Sequence, residues 1–595
     1  MLNTLKRISL GAALLPAILV ALLQAPLKGD VPPLFAAGLT LASCFILWLP
    51  GFALSAILRF ESAVDTICAF VMGCGLAGAM LFIGWFIGRP VGLAIEVLIA
   101  TGSIAVIASY PVPVRDLKRP AFLAIVAAVL YIAIAADHGG MIHANARVAY
   151  RYWDGPDNVI PQFFTDAILK GRQYLTPTLP GMGDWQASDR PPLLTGMMLS
   201  AYPFVADTQR DALALTLGIA ANVLWVFGLW AFLRAIRVRE NVASFVSVLV
   251  ILSGPVYMNT VYVWPKMLAG AFVLCAGAML ATRGPVTKLR AIIIGACVAL
   301  GMLSHGAIIF GVFGLIPLFV TNRRHWNARL IVICAVSSVV LYAPWMAYQK
   351  YFDPPGDRLV KWHLANLHEI SPEKPLEAIV GSYRALSARE LWTNKLNNLR
   401  MIVGVFPLPD TIQPGWRDNT AGEIRRHQST SVGISALFGI AGLLLLFRRR
   451  HEEWFSPLLK VIVSSTLAYV LIEFGGSYWA IAWLHTAPYS LLLLWVALGP
   501  LLVADSPMLS RAMLTASTAA FVWVWIVAAG RLSYHGTGMG HTDGAMTAVQ
   551  VVCIIALVWK AIVWSRRQTA AAPIKYRQDT RGELASVALH RRSEH

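Results

Sequence analysis

Residues 150–193 read YRYWDGPDNVIPQFFTDAILKGRQYLTPTLPGMGDWQASDRPPL. The stretch is polar, aromatic and rich in Gly and Pro, and it carries carboxylates at Asp154, Asp157, Asp166, Asp184 and Asp189. On either side the chain is apolar. Five apolar segments precede it and roughly eleven follow, by the length needed to cross a bilayer. A long loop dense in ionisable groups, set among membrane helices, is the first place to look for chemistry.

Composition agrees. Of 595 residues, 57% are hydrophobic and 13% charged, and the mean hydropathy is +0.63. So little charge does not cover the surface of a soluble protein this long. The expected class is an all-α polytopic membrane protein. The net charge of +18 fits basic cytoplasmic loops. No basic soluble face is present, so no nucleic-acid partner is expected. Cys44, Cys68, Cys74, Cys275, Cys297, Cys334 and Cys553 all fall in apolar runs without metal-ligand spacing and read as small buried hydrophobes.

The first 26 residues pair basic Lys6 and Arg7 with an apolar run and read as an uncleaved first helix. Spans are expected near 8–25, 34–58, 66–88, 91–110 and 120–136. Arg115, Lys118 and Arg119 fall between the fourth and fifth, so alternation places the loop after residue 137 outside. Residues 191–206 are too short to cross and are read as re-entrant or interfacial. Further spans are expected near 212–233, 241–260 and 265–282. Residues 290–320 form one apolar run interrupted at Ser304-His305-Gly306, with Arg290 before it and Arg323, Arg324 and Arg329 after. Basic residues at both ends argue for a hairpin with His305 at its tip; a single long tilted helix is the alternative. A span near 328–349 leads to a second outer loop, 350–429, with a surface helix near 376–401. Spans near 430–447, 457–473, 478–502, 512–530 and 545–564 and a basic cytoplasmic tail from 565 complete about 16 crossings, with both termini cytoplasmic.

Within the first outer loop, Gly155-Pro156 turns the chain, and Asp157 or Asn158 can cap a helix running to Lys170 with Gly171 as its stop. Val159, Ile160, Phe163, Phe164, Ala167 and Ile168 recur at helical spacing, which suits a helix lying on the membrane surface. Asp154 and Asp157 either cap and orient that helix or serve as general base or as ligands of a divalent cation such as Mg or Mn. Arg190 can hold a phosphate bidentately or pair with Asp189 or Asp184. Lys266 follows Pro265 in the first turn of a helix, where backbone amides favour an anion. The alternative is a lysine snorkelling beside Trp264. His305 and His485 lie at membrane depth, either as packed structural residues or as donors to phosphate or sugar oxygens.

The many-helix core, the acidic first outer loop with its helix and the second large outer loop resemble the GT-C superfamily, membrane glycosyltransferases that use polyprenyl-phosphate-linked sugars. Protein mannosyltransferases and the aminoarabinose transferase of lipid A belong to it. The resemblance covers roughly residues 120–500, leaving 1–119 as an additional four-helix module. It implies a catalytic carboxylate at Asp154 or Asp157 and lipid-phosphate contacts from Lys266 and Arg190; Asp189, His305 and His485 are read from the sequence as further binding candidates. The paired Asp-Glu of some members is absent; Asp154-Gly-Pro-Asp157 stands there instead. The resemblance thus implies an enzyme at the outer face of a bacterial cytoplasmic membrane, passing a sugar to a glycan, lipid or protein acceptor. A lipid-linked saccharide transporter and an O-antigen ligase or polymerase are the rival readings.

Overall fold

The computed structural model describes residues 33–137, 158–172, 185–205, 209–403, 449–475, 489–528 and 544–570. Among them every regular element is helical. In chain order these are α1 (Pro33–Leu58), α2 (Ala63–Ile87), α3 (Arg89–Ser109), α4 (Val114–Asp137), α5 (Ile160–Leu169), α6 (Leu193–Leu199), α7 (Arg210–Asn222) and α8 (Trp225–Ala235). Next come α9 (Glu240–Ile251), α10 (Gly254–Val261), α11 (Lys266–Ala281), α12 (Lys288–Ser304), α13 (Ile309–Gly314), α14 (Ile316–Thr321) and α15 (Ala328–Tyr351). The rest are α16 (Arg358–Ala365), α17 (Pro375–Arg384), α18 (Ala388–Val403), α19 (Phe455–Ile472), α20 (Tyr489–Val503), α21 (Pro507–Val522) and α22 (Gly544–Ala570). Eight helices among the described residues are long and apolar enough to cross a bilayer, and a ninth span results if α9 and α10, which turn sharply on each other, are counted together. The protein is a multi-pass α-helical membrane protein.

Ion pairs mark one end of the bundle. Arg119 meets Glu240 at 2.9 Å, Arg290 meets Asp65 at 2.7 Å and Arg237 meets Glu453 at 3.1 Å, while Arg239 and Arg449 share Asp505. Each of these basic residues lies near a helix terminus at that end. Lys266, His305, the 185–205 segment and the end of α15 lie at the opposite end.

The chain reverses at His305. Asn322, just after α14, donates to the carbonyl of Leu280 at the end of α11, 2.6 Å away. The start of α12 follows Leu280 closely, so both feet of the 288–321 segment stand at the basic end. His305 forms the tip: its backbone N–H still closes α12 on Gly301, and its Nδ1 accepts the Ala307 N–H at 3.1 Å. The hairpin read from the flanking arginines is the observed path, and one long tilted helix is not.

Other expectations are revised. The helix in the first outer loop is present as α5, and Gly171 after it adopts the left-handed φ of 71° expected of a helix stop. It does not lie on the membrane surface. Val159, Ile160, Phe164 and Ile168 are buried, with Phe164 packed on Phe82 of α2 and Tyr348 of α15. A short apolar face gains more from protein neighbours than from the interface when α2, α6 and α15 already surround it. The 376–401 helix is two helices, because Ser387 and Glu390 form a reciprocal capping pair that starts α18 afresh. Of the 191–206 stretch, the described residues 191–205 hold the short α6 and one 3-10 turn, too short to cross.

The 212–233 run is found as one span, Arg210–Ala235, in which α7 and α8 are separated only by a turn after Asn222. Asn222 Oδ1 accepts the N–H of Leu268 at 3.1 Å, and its Nδ2 donates to the carbonyl of Thr260 at 3.4 Å. One amide side chain therefore satisfies backbone groups left open at the end of α10 and the start of α11.

Candidate functional site

The site grows from the start of α11. Pro265 is its N-cap and Lys266 its first residue. The 16 residues of α11 rise about 24 Å, short of the roughly 30 Å hydrocarbon core. The turn before it is strained. Val263, a β-branched residue, has φ of 58°, a conformation such residues avoid. Gly218 makes room for it: a Cβ there would stand 2.1 Å from Val263 Cγ1.

This turn sets Trp264 and Lys266 together. Lys266 is fully buried. Its Nζ lies 3.1 Å from the centre of the Trp264 ring and 5.0 Å from that of Tyr489. Burial to this degree excludes the snorkelling alternative, which needs the ammonium in water. The ammonium is instead held on ring faces, where the aromatic quadrupole attracts a cation.

Arg190 reaches the same indole from the other side of the chain. Its guanidinium carbon lies 5.9 Å from the Trp264 ring centre and 4.4 Å from that of Trp185. Arg358, from the second outer loop, stands 4.6 Å from the Trp185 ring centre. The result is a ladder in which cations alternate with rings: Arg358, Trp185, Arg190, Trp264, Lys266, Tyr489. His305 borders it, its ring 6.2 Å from that of Trp264. Because His305 Nδ1 accepts a backbone N–H, the neutral ring carries its proton on Nε2.

Asp189 is buried at the edge of this ladder. It pairs with Arg358, Oδ2 to Nη1 at 3.4 Å, and not with Arg190. Arg190 Nη1 donates to the Asp189 backbone carbonyl, at 2.9 Å. Asp189 Oδ2 also accepts the Gln186 N–H at 2.8 Å, and its Oδ1 has no hydrogen-bond partner among the described residues. Burial pushes the Asp189 carboxyl up to about 6, against the opposing pull of the Gln186 amide, Arg358 and Arg190.

Three further contacts fasten the loop beneath. Ser188 N–H donates to Asp353 at 2.8 Å, Gln186 Nε2 donates to the Pro354 carbonyl at 3.1 Å, and Gln349 Nε2 donates to the Ser188 carbonyl at 3.2 Å. The end of the first outer loop is thus held by the end of α15 and the start of the second. Arg358 is held in turn by the carbonyl of His368, 2.7 Å from its Nε.

Of the sequence candidates, Lys266, Arg190, Asp189 and His305 come together. Asp154, Asp157, Asp184 and His485 lie outside the described residues. Arg358, Trp185 and Trp264 complete the cluster, and nothing in the sequence alone singles them out as binding groups. Among the described residues no three His, Cys, Asp or Glu side chains are arranged to hold a metal ion. An arrangement of buried cations on aromatic faces suits an anion with an apolar tail. The cations meet the charge, and the rings and the surrounding helices exclude water. No protein-family model, no characterised protein and no solved structure matches this chain.

Proposed function

We propose that the protein is a GT-C-type glycosyltransferase with about 16 spans and its basic end in the bacterial cytoplasm, which moves a sugar from a polyprenyl-phosphate donor to a cell-envelope acceptor at the outer face. The observation that carries the reading is that Lys266 and Arg190, two cations far apart in sequence, are both applied to Trp264. Cations held on ring faces in an apolar recess suit the headgroup of a lipid phosphate. The isoprenoid tail reaches the site between helices.

In this reading the acceptor hydroxyl attacks the anomeric carbon, and the bond from that carbon to the phosphate oxygen breaks. The electron pair leaves on the phosphate, which Lys266 and Arg190 stabilise. A carboxylate of the first outer loop takes the hydroxyl proton, Asp154 and Asp157 being the sequence candidates. If a divalent cation takes part, those two carboxylates are its ligands.

The test is binding of polyprenyl monophosphate to the purified protein in detergent, with Lys266→Ala and Lys266→Arg beside wild type. The alanine variant is expected to bind at least about tenfold more weakly, a charge-assisted hydrogen bond being worth about 1.5–3 kcal/mol. The arginine variant should retain part of the affinity, since the charge remains but the compact ammonium is lost. Unchanged affinity in the alanine variant removes the phosphate reading. A transporter remains the second reading, favoured by the sharp bend between α9 and α10. Proteoliposomes distinguish the two: label from a lipid-linked sugar becomes covalently bound to an acceptor in the first case and crosses unchanged in the second.

A further inference from the structure

Helix α18 turns polar side chains toward the protein and leaves an apolar strip uncovered. Its inward face is polar. Lys395 Nζ donates to the carbonyl of Glu473 at 2.6 Å and to Tyr383 Oη at 3.0 Å, and Asn398 Nδ2 donates to the carbonyl of Glu473 at 2.8 Å. Its exposed side carries an apolar strip, Ala388, Trp392 and Leu399 at helical spacing with Trp392 71% exposed, flanked by exposed Arg389, Thr393 and Glu390. Neighbouring α17 repeats the pattern, with Leu376 72% exposed and Val380 beside it one turn on. A surface helix in water turns its apolar stripe to the core, and an exposed one calls for an apolar neighbour.

The place of α18 says what that neighbour is. Glu473 directly follows α19, a candidate membrane span, so Lys395 and Asn398 seat α18 on the last turn of a crossing helix. The outward side of α19 carries Leu459, Val463, Leu467 and Leu471, one every four residues and all exposed. That stripe is the face a span presents to lipid. The stripe of α18 sits where it ends, at interface depth. Arg384 and Arg389 are exposed around it, in keeping with a helix whose cations meet headgroup phosphates while Trp and Leu enter the acyl boundary.

We propose that α17 and α18 lie on the outer leaflet of the bilayer, with Leu376, Val380, Trp392 and Leu399 immersed in it, anchoring the second outer loop to the lipid from which Arg358 of the same loop faces the cation ladder. The inference concerns the bilayer itself and does not depend on the glycosyltransferase reading.

Nitroxide labels on Trp392→Cys and, from the other side of α18, Glu390→Cys test it in full-length protein reconstituted into phosphatidylethanolamine–phosphatidylglycerol vesicles. Collision with oxygen, which concentrates in lipid, is compared with collision with a water-soluble nickel chelate. The label at 392 should favour oxygen several-fold over the label at 390. Preference for the nickel chelate at both positions overturns the proposal, since the ridge then faces water. Protection from both reagents at 392 also overturns it, since a protein then covers the ridge. Leu399→Cys repeats the measurement if the tryptophan variant does not fold.

Discussion

Asp189 and Arg358 stand 169 residues apart in sequence and form one buried ion pair, Nη1 to Oδ2 at 3.4 Å. The pair joins the 185–205 segment to the segment that follows α15. It has a consequence for pH. Burial holds the Asp189 carboxyl up at about 6 in the folded protein, above its ordinary 3.8. The folded state therefore binds more protons than the unfolded state between these two values, and stability falls as pH rises through that window.

An asparagine side chain in its place does not titrate, so the stability difference between wild type and Asp189→Asn isolates this group. Whatever its absolute size, the difference should shift in favour of the variant by about 2 kcal/mol as pH rises from about 4 to about 7. Thermal unfolding of both proteins in detergent across that range measures it. A difference that stays constant with pH would show that the carboxyl titrates in its ordinary range.

The ring shared by Arg190 and Lys266 is the second point of attack. Trp264→Leu keeps an apolar side chain but removes the face on which both cations rest. Each cation–aromatic contact is worth about 0.5–2 kcal/mol, so affinity for polyprenyl monophosphate should fall about tenfold or more. Trp264→Phe keeps a smaller ring and should fall between. Equal affinity in all three proteins would mean that the indole only fills space.

Gly218 governs the site from a distance. A Cβ at this position would stand 2.1 Å from Val263 Cγ1 and 3.0 Å from its Cβ, and a valine already held at positive φ has no rotamer with which to retreat. Gly218→Ala should cost about 1–3 kcal/mol by overpacking and should also weaken polyprenyl monophosphate binding, because the turn it displaces carries Trp264 and Lys266. Gly102, on lipid-facing α3 with nothing within 4 Å, is the control: Gly102→Ala should be neutral or stabilising by about 0.5–1 kcal/mol and leave binding unchanged. Intact binding in Gly218→Ala would separate the strained turn from the site.

Much of this end of the molecule was legible in the sequence, for local reasons. Pro265 and Lys266 mark a helix start by chemistry that needs no partner, and the helix does start there. Arginines at both feet of 290–320 require a reversal, and Ser304-His305-Gly306 offers the place for it. What stayed hidden depends on distance. Arg358 and Lys361 look like loop cations, yet both are buried, and for Arg358 the partners that explain it include Asp189 and Trp185, far back in the chain. Asn222 sits in an unbroken apolar run, so nothing near it announces that it will satisfy the backbone of Leu268 and Thr260. Trp185 reads as one more aromatic until two guanidiniums are found on it. The Ser387–Glu390 cap that divides α17 from α18 is a local signal and could have been found.

Orientation decides whether the chemistry is one-sided. The structure gathers Arg119, Arg237, Arg239, Arg290 and Arg449 at the end opposite Lys266, and basic loops stay in the cytoplasm. Cysteines placed at Arg324 and Arg450, both exposed at the basic end, should be shielded from an impermeant thiol reagent in intact cells and react after lysis. A cysteine at Glu390, exposed on α18, should react in intact cells. Because Asn322 is tied to Leu280, the position at 324 also tests the hairpin: a chain that passed straight through at His305 would expose 324 and 450 together and shield 390, while a cysteine at Arg237, exposed at the basic end upstream of the hairpin, stayed shielded. Reaction at 237, 324 and 450 with protection at 390 would invert the whole bundle. The cation ladder would then face the cytoplasm, where nucleotide-activated sugars are available and a polyprenyl carrier is not required, and the proposed donor class would fall with the orientation.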